Sequence, residues 1–292
     1  PQTLINSTNA NIVVTYNAVA TLASGSTCAG AVFPYTITVK PKPFIAANMT
    51  ATICSGSLFT VSPTNGSGNS IPTGTTYSWG IPIVTGGLTG GIAGSNQTTI
   101  SGTLTNPTNV VQTATYTVIP FLNGCSGSQF DVVVSVNPKP DVNATPNVVL
   151  CAGETSTQID FTGNVAGATY TWSSSTTSIG IAASGTNTIP SFTAINAGTT
   201  PVIATITVAP SASTCTGLPK TFTITVNPKP TVNAILNLVK CNTDTSGIIS
   251  FTGNVAGTTF DWTNDNTSIG LAATGSGNIP NFTTTNSGIT PV

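Results

Sequence analysis

The chain has 292 residues, no histidine and a net charge of −1, and only 4% of its residues are charged, against roughly 25% in ordinary globular domains. Six scattered lysines cannot make the cation cluster that nucleic acid requires, and no apolar run approaches the roughly 18 residues of a membrane span. Without histidine there is no Ser-His-Asp or Cys-His catalysis.

Taken in chain order, the first signal is Val39-Lys-Pro-Lys-Pro43. It returns as Val136-Asn-Pro-Lys-Pro140 and Val226-Asn-Pro-Lys-Pro230. Each copy lies between two cysteines 26 residues apart: Cys28 and Cys54, Cys125 and Cys151, Cys215 and Cys241. A fixed period of this kind marks a tandem array. Residues 1–40 read as the end of one repeat, 44–137 and 141–227 as complete repeats, and 231–292 as a repeat lacking its last two strands. That pattern is expected of a window from a longer protein.

The alignment between the last two repeats has an offset of 90 residues. It carries Phe161-Thr-Gly-Asn-Val-Ala-Gly167 onto Phe251-Thr-Gly-Asn-Val-Ala-Gly257 and Trp172 onto Trp262. Trp79 holds the same place in the more divergent 44–137 repeat.

Within 141–227, strands are expected at 141–149, 156–162, 168–174, 178–183, 188–194, 201–209 and 219–227. Period-two alternation, as in Phe222-Thr-Ile-Thr-Val226, describes half-buried strands. Gly- and Asn-containing turns separate them. Seven short strands in about 90 residues around one Trp fit an immunoglobulin-like sandwich. The fold class is therefore all-β: tandem seven-stranded sandwiches in an extended array. Trp79, Trp172 and Trp262 are assigned to the cores.

Six regularly placed cysteines favour an oxidising, extracellular setting. In this topology Cys151 falls in the turn after the first strand and Cys215 in the turn between the last two. Those turns lie at opposite poles, roughly 25–30 Å apart at about 3.3 Å per strand residue, whereas a disulfide spans at most about 7 Å between Cα atoms. The geometry thus favours an intermodule bond, Cys54 to Cys215. The intramodule pairs Cys54–Cys125 and Cys151–Cys215 stay open if the first strand is short or kinked. Pro41 and Pro43, Pro138 and Pro140, and Pro228 and Pro230 form stiff hinges, and Lys42, Lys139 and Lys229 read as solvated linker charges.

Metal binding is not expected, because no Cys-x-x-Cys or His-based ligand set occurs. Asp261 and Asp265 could offer oxygen ligands to calcium, but their equivalents are Thr171 and Ser175. Gly86–Gly91 lacks the Gly-Lys-Ser/Thr of a phosphate loop. No catalytic residue and no cofactor is expected.

Phe251-Thr-Gly-Asn-Val-Ala-Gly257 and the run from Cys215 to Val226, Cys-Thr-Gly-Leu-Pro-Lys-Thr-Phe-Thr-Ile-Thr-Val, resemble the PKD-like repeats of very large Bacteroidota surface proteins. That resemblance implies PKD-like sandwiches, type IX secretion, and a place outside the cell, outer membrane-attached or secreted. It also implies roles in adhesion or gliding motility. The leading expectation is a non-enzymatic stalk or filament of a surface adhesin. Its partners would be neighbouring repeats of the same chain, with surface glycans or other cell-surface proteins beyond them. The alternatives are a polysaccharide-binding array and a strand-exchanging extracellular polymer.

Overall fold

The computed structural model describes residues 2–23 and 28–292. Among them the regular structure is β, apart from one 3-10 turn at Thr267–Ile269. Two compact units are present: Pro1–Asp141 with Gly163–Ala168 and Pro210–Leu218, and Val142–Thr162, Thr169–Ala209 and Pro219–Val292.

In the first unit, β1 (Ile12–Thr21) and β2 (Ala29–Val39) form an antiparallel hairpin. There follow β3 (Met49–Cys54), β4 (Leu58–Val61), β5 (Thr76–Trp79), β6 (Ile83–Val84), β7 (Gly94–Gln97), β8 (Ile100–Thr103), β9 (Gln112–Leu122), β10 (Cys125–Ser126) and β11 (Phe130–Asn137). One sheet has the order β3-β11-β9-β5-β7, with β6 and β10 also paired to β9. The pair β4–β8 makes the facing layer.

Alternation builds the core between the layers. Phe59 and Val61 of β4 are buried, as are Ala114, Tyr116 and Val118 of β9 and Val132, Val134 and Val136 of β11. Each large apolar side chain removed from water contributes roughly 1.5–3 kcal/mol. Trp79 sits edge-on to Tyr116, ring centres 6.4 Å apart, and its Nε1–H donates to Ile92 O at 3.1 Å.

The next repeat uses β12 (Val148–Cys151), β13 (Ile159–Asp160), β14 (Thr169–Ser174), β15 (Ser184–Thr186), β16 (Thr188–Ile189), β17 (Val202–Ala212), β18 (Cys215–Thr216) and β19 (Lys220–Asn227). Its main sheet runs β12-β19-β17-β14-β15, and β13 pairs with β16. Trp172 lies on β14 and is buried. In residues 231–292 only β20 (Asp261–Thr263) and β21 (Thr274–Ser276) form a ladder.

Several expected strands differ from the structure. Residues 156–162 and 188–194 shrink to the two-residue ladder of Ile159–Asp160 with Thr188–Ile189, and Ser184–Thr186 forms a strand where a turn was expected. Two further differences have a clear physical cause. Residues 178–183 are not a strand, because Gly180 takes φ 93° and closes a turn onto Thr177 O. Ile179 and Ile181 still enter the core, so their alternation imitated a strand. The first strand is also shorter than 141–149: Pro146 offers no N–H to the ladder, and pairing starts at Val148.

Candidate functional site

The most developed site is the joint around Pro138-Lys-Pro140, all of it inside the first unit. It begins with an unusual pairing. β3 runs parallel to β11, in a register that sets Cys54 beside Asn137. The first strand of the repeat therefore ends next to the residue that enters the hinge.

The closing hairpin of the following repeat reaches the same place. β17 and β18 pair tightly, Ala212 opposite Cys215, with Ser213 and Thr214 at positive φ between them. Asn137 Nδ2 donates to Ser213 O at 3.3 Å. Cys54 and Cys215 are disulfide-bonded, with S–S 1.97 Å and Cα–Cα 5.6 Å across 161 residues of chain. Each sulfur of that bond would be needed for one of the intramodule pairs, so neither Cys54–Cys125 nor Cys151–Cys215 forms here.

The hinge prolines are packed rather than solvated. Pro41, Pro43, Pro138, Pro140 and Pro228 are buried, Pro230 is exposed, and Lys42, Lys139 and Lys229 point to solvent. Gly217 explains part of this. A Cβ there would lie 1.9 Å from Pro140 O, so only glycine lets the hairpin lie on the hinge. Gly127 stands in the same relation to Pro43 O, at 2.1 Å. A second contact closes the joint, from Asn164 Nδ2 to Asn109 Oδ1 at 3.1 Å. The preceding joint shows the pattern again: Lys40 Nζ donates to Asn123 O at 3.0 Å and Ser70 Oγ to Asn9 Oδ1 at 2.7 Å.

Sequence reasoning reads Asn164, Asn196 and Gly217 only as turn residues and passes over Gly127, Asn109 and Asn106; Asn106 and Asn196 have a further role. Each of the latter two sends Nδ2 to two carbonyls: Val110 O and Val136 O for Asn106, Thr200 O and Val226 O for Asn196. The signal was present in the 90-residue offset, which also carries Gly127 onto Gly217 and Asn196 onto Asn286.

Chemistry of other kinds finds little support. No group of three or more His, Cys, Asp or Glu that could hold a metal occurs among the described residues. Asp261 lies on β20 opposite Ser276. No helix among the described residues is long and apolar enough to cross a membrane.

The PKD-like domain family matches at residues 51–140 and again at 148–230, more than half of the chain. The chain belongs to the PKD-like domain family. No curated protein matches it in sequence. Among solved structures, titin domains I67–I69, an E-to-A variant, align at 9% identity and a TM-score of 0.40 over 84% of this chain and 89% of that one. The chicken CNTN1 FN1–FN3 domains align at 13% identity and 0.32, over 74% and 76%. Sidekick-1 immunoglobulin domains 1–5 align at 12% and 0.29, over 94% and 69%.

In each complete PKD-like repeat the cysteine of the first strand has the same surroundings. Ser55 N and Ala152 N each donate to the Asn carbonyl beside the hinge, Asn137 O and Asn227 O, at 2.9 Å. Gly56 and Gly153 continue to Leu104 O and Ala194 O, both at 2.8 Å. Cys151 thus sits in the same backbone surroundings as Cys54, and it is exposed and unbonded. Cys28 and Cys241 are exposed free thiols, and Cys125 is a half-buried one.

Proposed function

We propose that this chain is a structural repeat region, a stalk or filament of a large secreted cell-surface adhesin, non-enzymatic, and built from PKD-like repeats at 44–137 and 141–227 flanked by partial ones. The observation that carries this reading is the Cys54–Cys215 bond. It ties the first strand of one repeat to the closing hairpin of the next, across a hinge whose prolines are already packed. Such a joint resists bending, which suits a spacer more than a mobile catalyst. A charge content of 4% also leaves little for salt to screen. An oxidising location outside the cell agrees with a long-range disulfide. The link to type IX secretion and gliding motility rests on sequence resemblance to Bacteroidota surface repeats. Neighbouring repeats of the same chain are the first partners, and surface glycans or proteins would be met elsewhere on the parent protein.

Non-reducing peptide mapping with small-angle scattering tests the reading. The expected result is a Cys54–Cys215 peptide, and a rise in flexibility on reduction while both cores stay folded. A Cys151–Cys215 or Cys54–Cys125 peptide, or scattering unchanged by reduction, overturns it.

A further inference from the structure

We propose that Cys54–Cys215 is a self-resealing bond. An external thiol enters at Cys54 Sγ, and Cys215, held in place by the docked hairpin, expels it again. The inference concerns the chemistry of the bond and stands whether or not the parent protein is a stalk.

The two sulfurs are not equivalent. Cys215 is 1% exposed, so a thiol in solution does not reach its sulfur while the joint is closed. Cys54 is half-buried and is the one of the pair with surface left for an attacker. Access and the choice of sulfur attacked both govern thiol–disulfide exchange, and here both point to Cys54.

The hairpin that carries Cys215 is held beside Cys54 by more than the disulfide. Its register, Ser211 opposite Thr216 and Ala212 opposite Cys215, fixes where the cysteine stands. Gly217 lies so close to Pro140 O that a Cβ there would approach it to 1.9 Å. Asn137 Nδ2 grips Ser213 O at 3.3 Å. Asn137 is also the residue that the parallel β3–β11 register sets opposite Cys54. One asparagine thus borders the entry sulfur and holds the tip that carries the other.

The exchange balances without a further reagent. The thiolate of one glutathione attacks Cys54 Sγ; a glutathione–Cys54 bond forms and the Cys54–Cys215 bond breaks. The electron pair leaves on Cys215 Sγ, which takes up a proton. Complete reduction needs a second glutathione to attack the sulfur of the first, freeing the Cys54 thiolate and releasing oxidised glutathione. Cys215 competes with that step. While the hairpin stays docked, its thiolate attacks Cys54 Sγ, restores the bond and sends the glutathione away. Holding two groups side by side turns a bimolecular step into an intramolecular one with a high effective concentration. The non-covalent grip on the tip therefore sets how much reductant the joint withstands.

The test uses the 292-residue chain in glutathione buffers, with acid quenching and peptide mapping. Free thiols of the parent chain are first blocked with iodoacetamide. With oxidised glutathione, a Cys215→Ser chain should take up glutathione at Cys54, whereas a Cys54→Ser chain should take it up at Cys215 far more slowly. In the parent chain the ratio of reduced to oxidised glutathione that opens half of the bonds should fall about three- to tenfold in Asn137→Ala, the effect of one lost hydrogen bond. Asn227→Ala, at the equivalent position of the next hinge, should leave it unchanged. Equal rates at Cys54 and Cys215 in the two serine variants overturn the proposal, and so does an Asn137→Ala chain that opens at the same ratio as Asn227→Ala. A Cys54–Cys215 peptide missing before any glutathione is added fails the joint itself. The same peptide present, with equal rates in the serine variants, fails the resealing alone.

Discussion

Residues 141–227 and 231–292 carry closely similar sequences through 90-residue equivalents, yet they reach different structures. In the first, the segment ending at Cys151 is a strand, Trp172 is 4% exposed and Ile179 is wholly buried. In the second, the segment ending at Cys241 forms no ladder, and Trp262 and Ile269 are half-buried. What survives in both is local or paired between neighbouring segments. Ile159 pairs with Ile189 and Ile249 with Ile279; Ser156 Oγ and Ser246 Oγ each accept from the backbone of a phenylalanine at 3.0 Å. The difference is the closing hairpin. It provides the ladder partner for the first strand and the wall opposite the Trp, so it makes a sandwich from a half that already holds its own turns.

The largest effect expected from this contrast is at the Trp. Trp172→Ala should destabilise its repeat by about 3–5 kcal/mol, the usual cost of emptying a large aromatic site, read as lost hydrogen-exchange protection in β17 and β19. Trp262→Ala, at a ring that is only half-buried, should cost clearly less. Equal losses at the two positions would break the comparison.

Next comes the asparagine that ties the loop to the last strand. Asn196→Ala removes Nδ2 bonds to Thr200 O at 2.9 Å and Val226 O at 2.8 Å, the second of them part-buried, which should cost about 0.5–1.5 kcal/mol. Asn286→Ala removes the bond to Thr290 O and should be near neutral, as urea midpoints would show. Gly185→Ala sharpens the same point. Its Cβ would meet the Trp172 ring at 2.7 Å in a closed core, an overpacking worth about 1–3 kcal/mol. At Gly275 the approach to Trp262 is nominally closer, 2.1 Å, but that ring is only half-buried and freer to give way, and thermal unfolding should shift less.

Much of this was legible before any coordinates. The repeat offset and the two long closing strands follow from periodicity, because β17 and β19 alternate cleanly over many residues; Trp79 and Trp172 lie in cores, whereas Trp262, assigned to a core as well, is half-buried. Ile179 and Ile181 misled for a physical reason: a loop closed by Gly180 can also deliver alternate apolar side chains to a core. The joint was legible as a pole-to-pole argument about cysteines. Its glycines and asparagines were not, since Gly217 matters through the carbonyl of Pro140 and the ring of Pro210, contacts that no local pattern encodes.

The smallest effect separates the two complete repeats. Burial pushes the phenols of Tyr77 and Tyr116 above their ordinary value of 10.0, because a phenolate inside the core would lose its hydration. The unfolded chain then releases those protons at lower pH than the folded one. Over that interval the unfolded state binds fewer protons, so stability falls as pH rises. The contribution is complete below about pH 10 and disappears as pH climbs through the raised folded values. In residues 141–227 the position of Tyr116 is taken by Ile206, which cannot ionise. Between neutral pH and mildly alkaline pH the two repeats should keep their relative stabilities. Above pH 10 the 44–137 repeat should weaken further than its neighbour, measured as exchange protection in β9 against β17. Tyr116→Phe should remove most of the gap at high pH while leaving neutral stability nearly unchanged; a gap that persists in that variant would assign it to something other than the buried phenol.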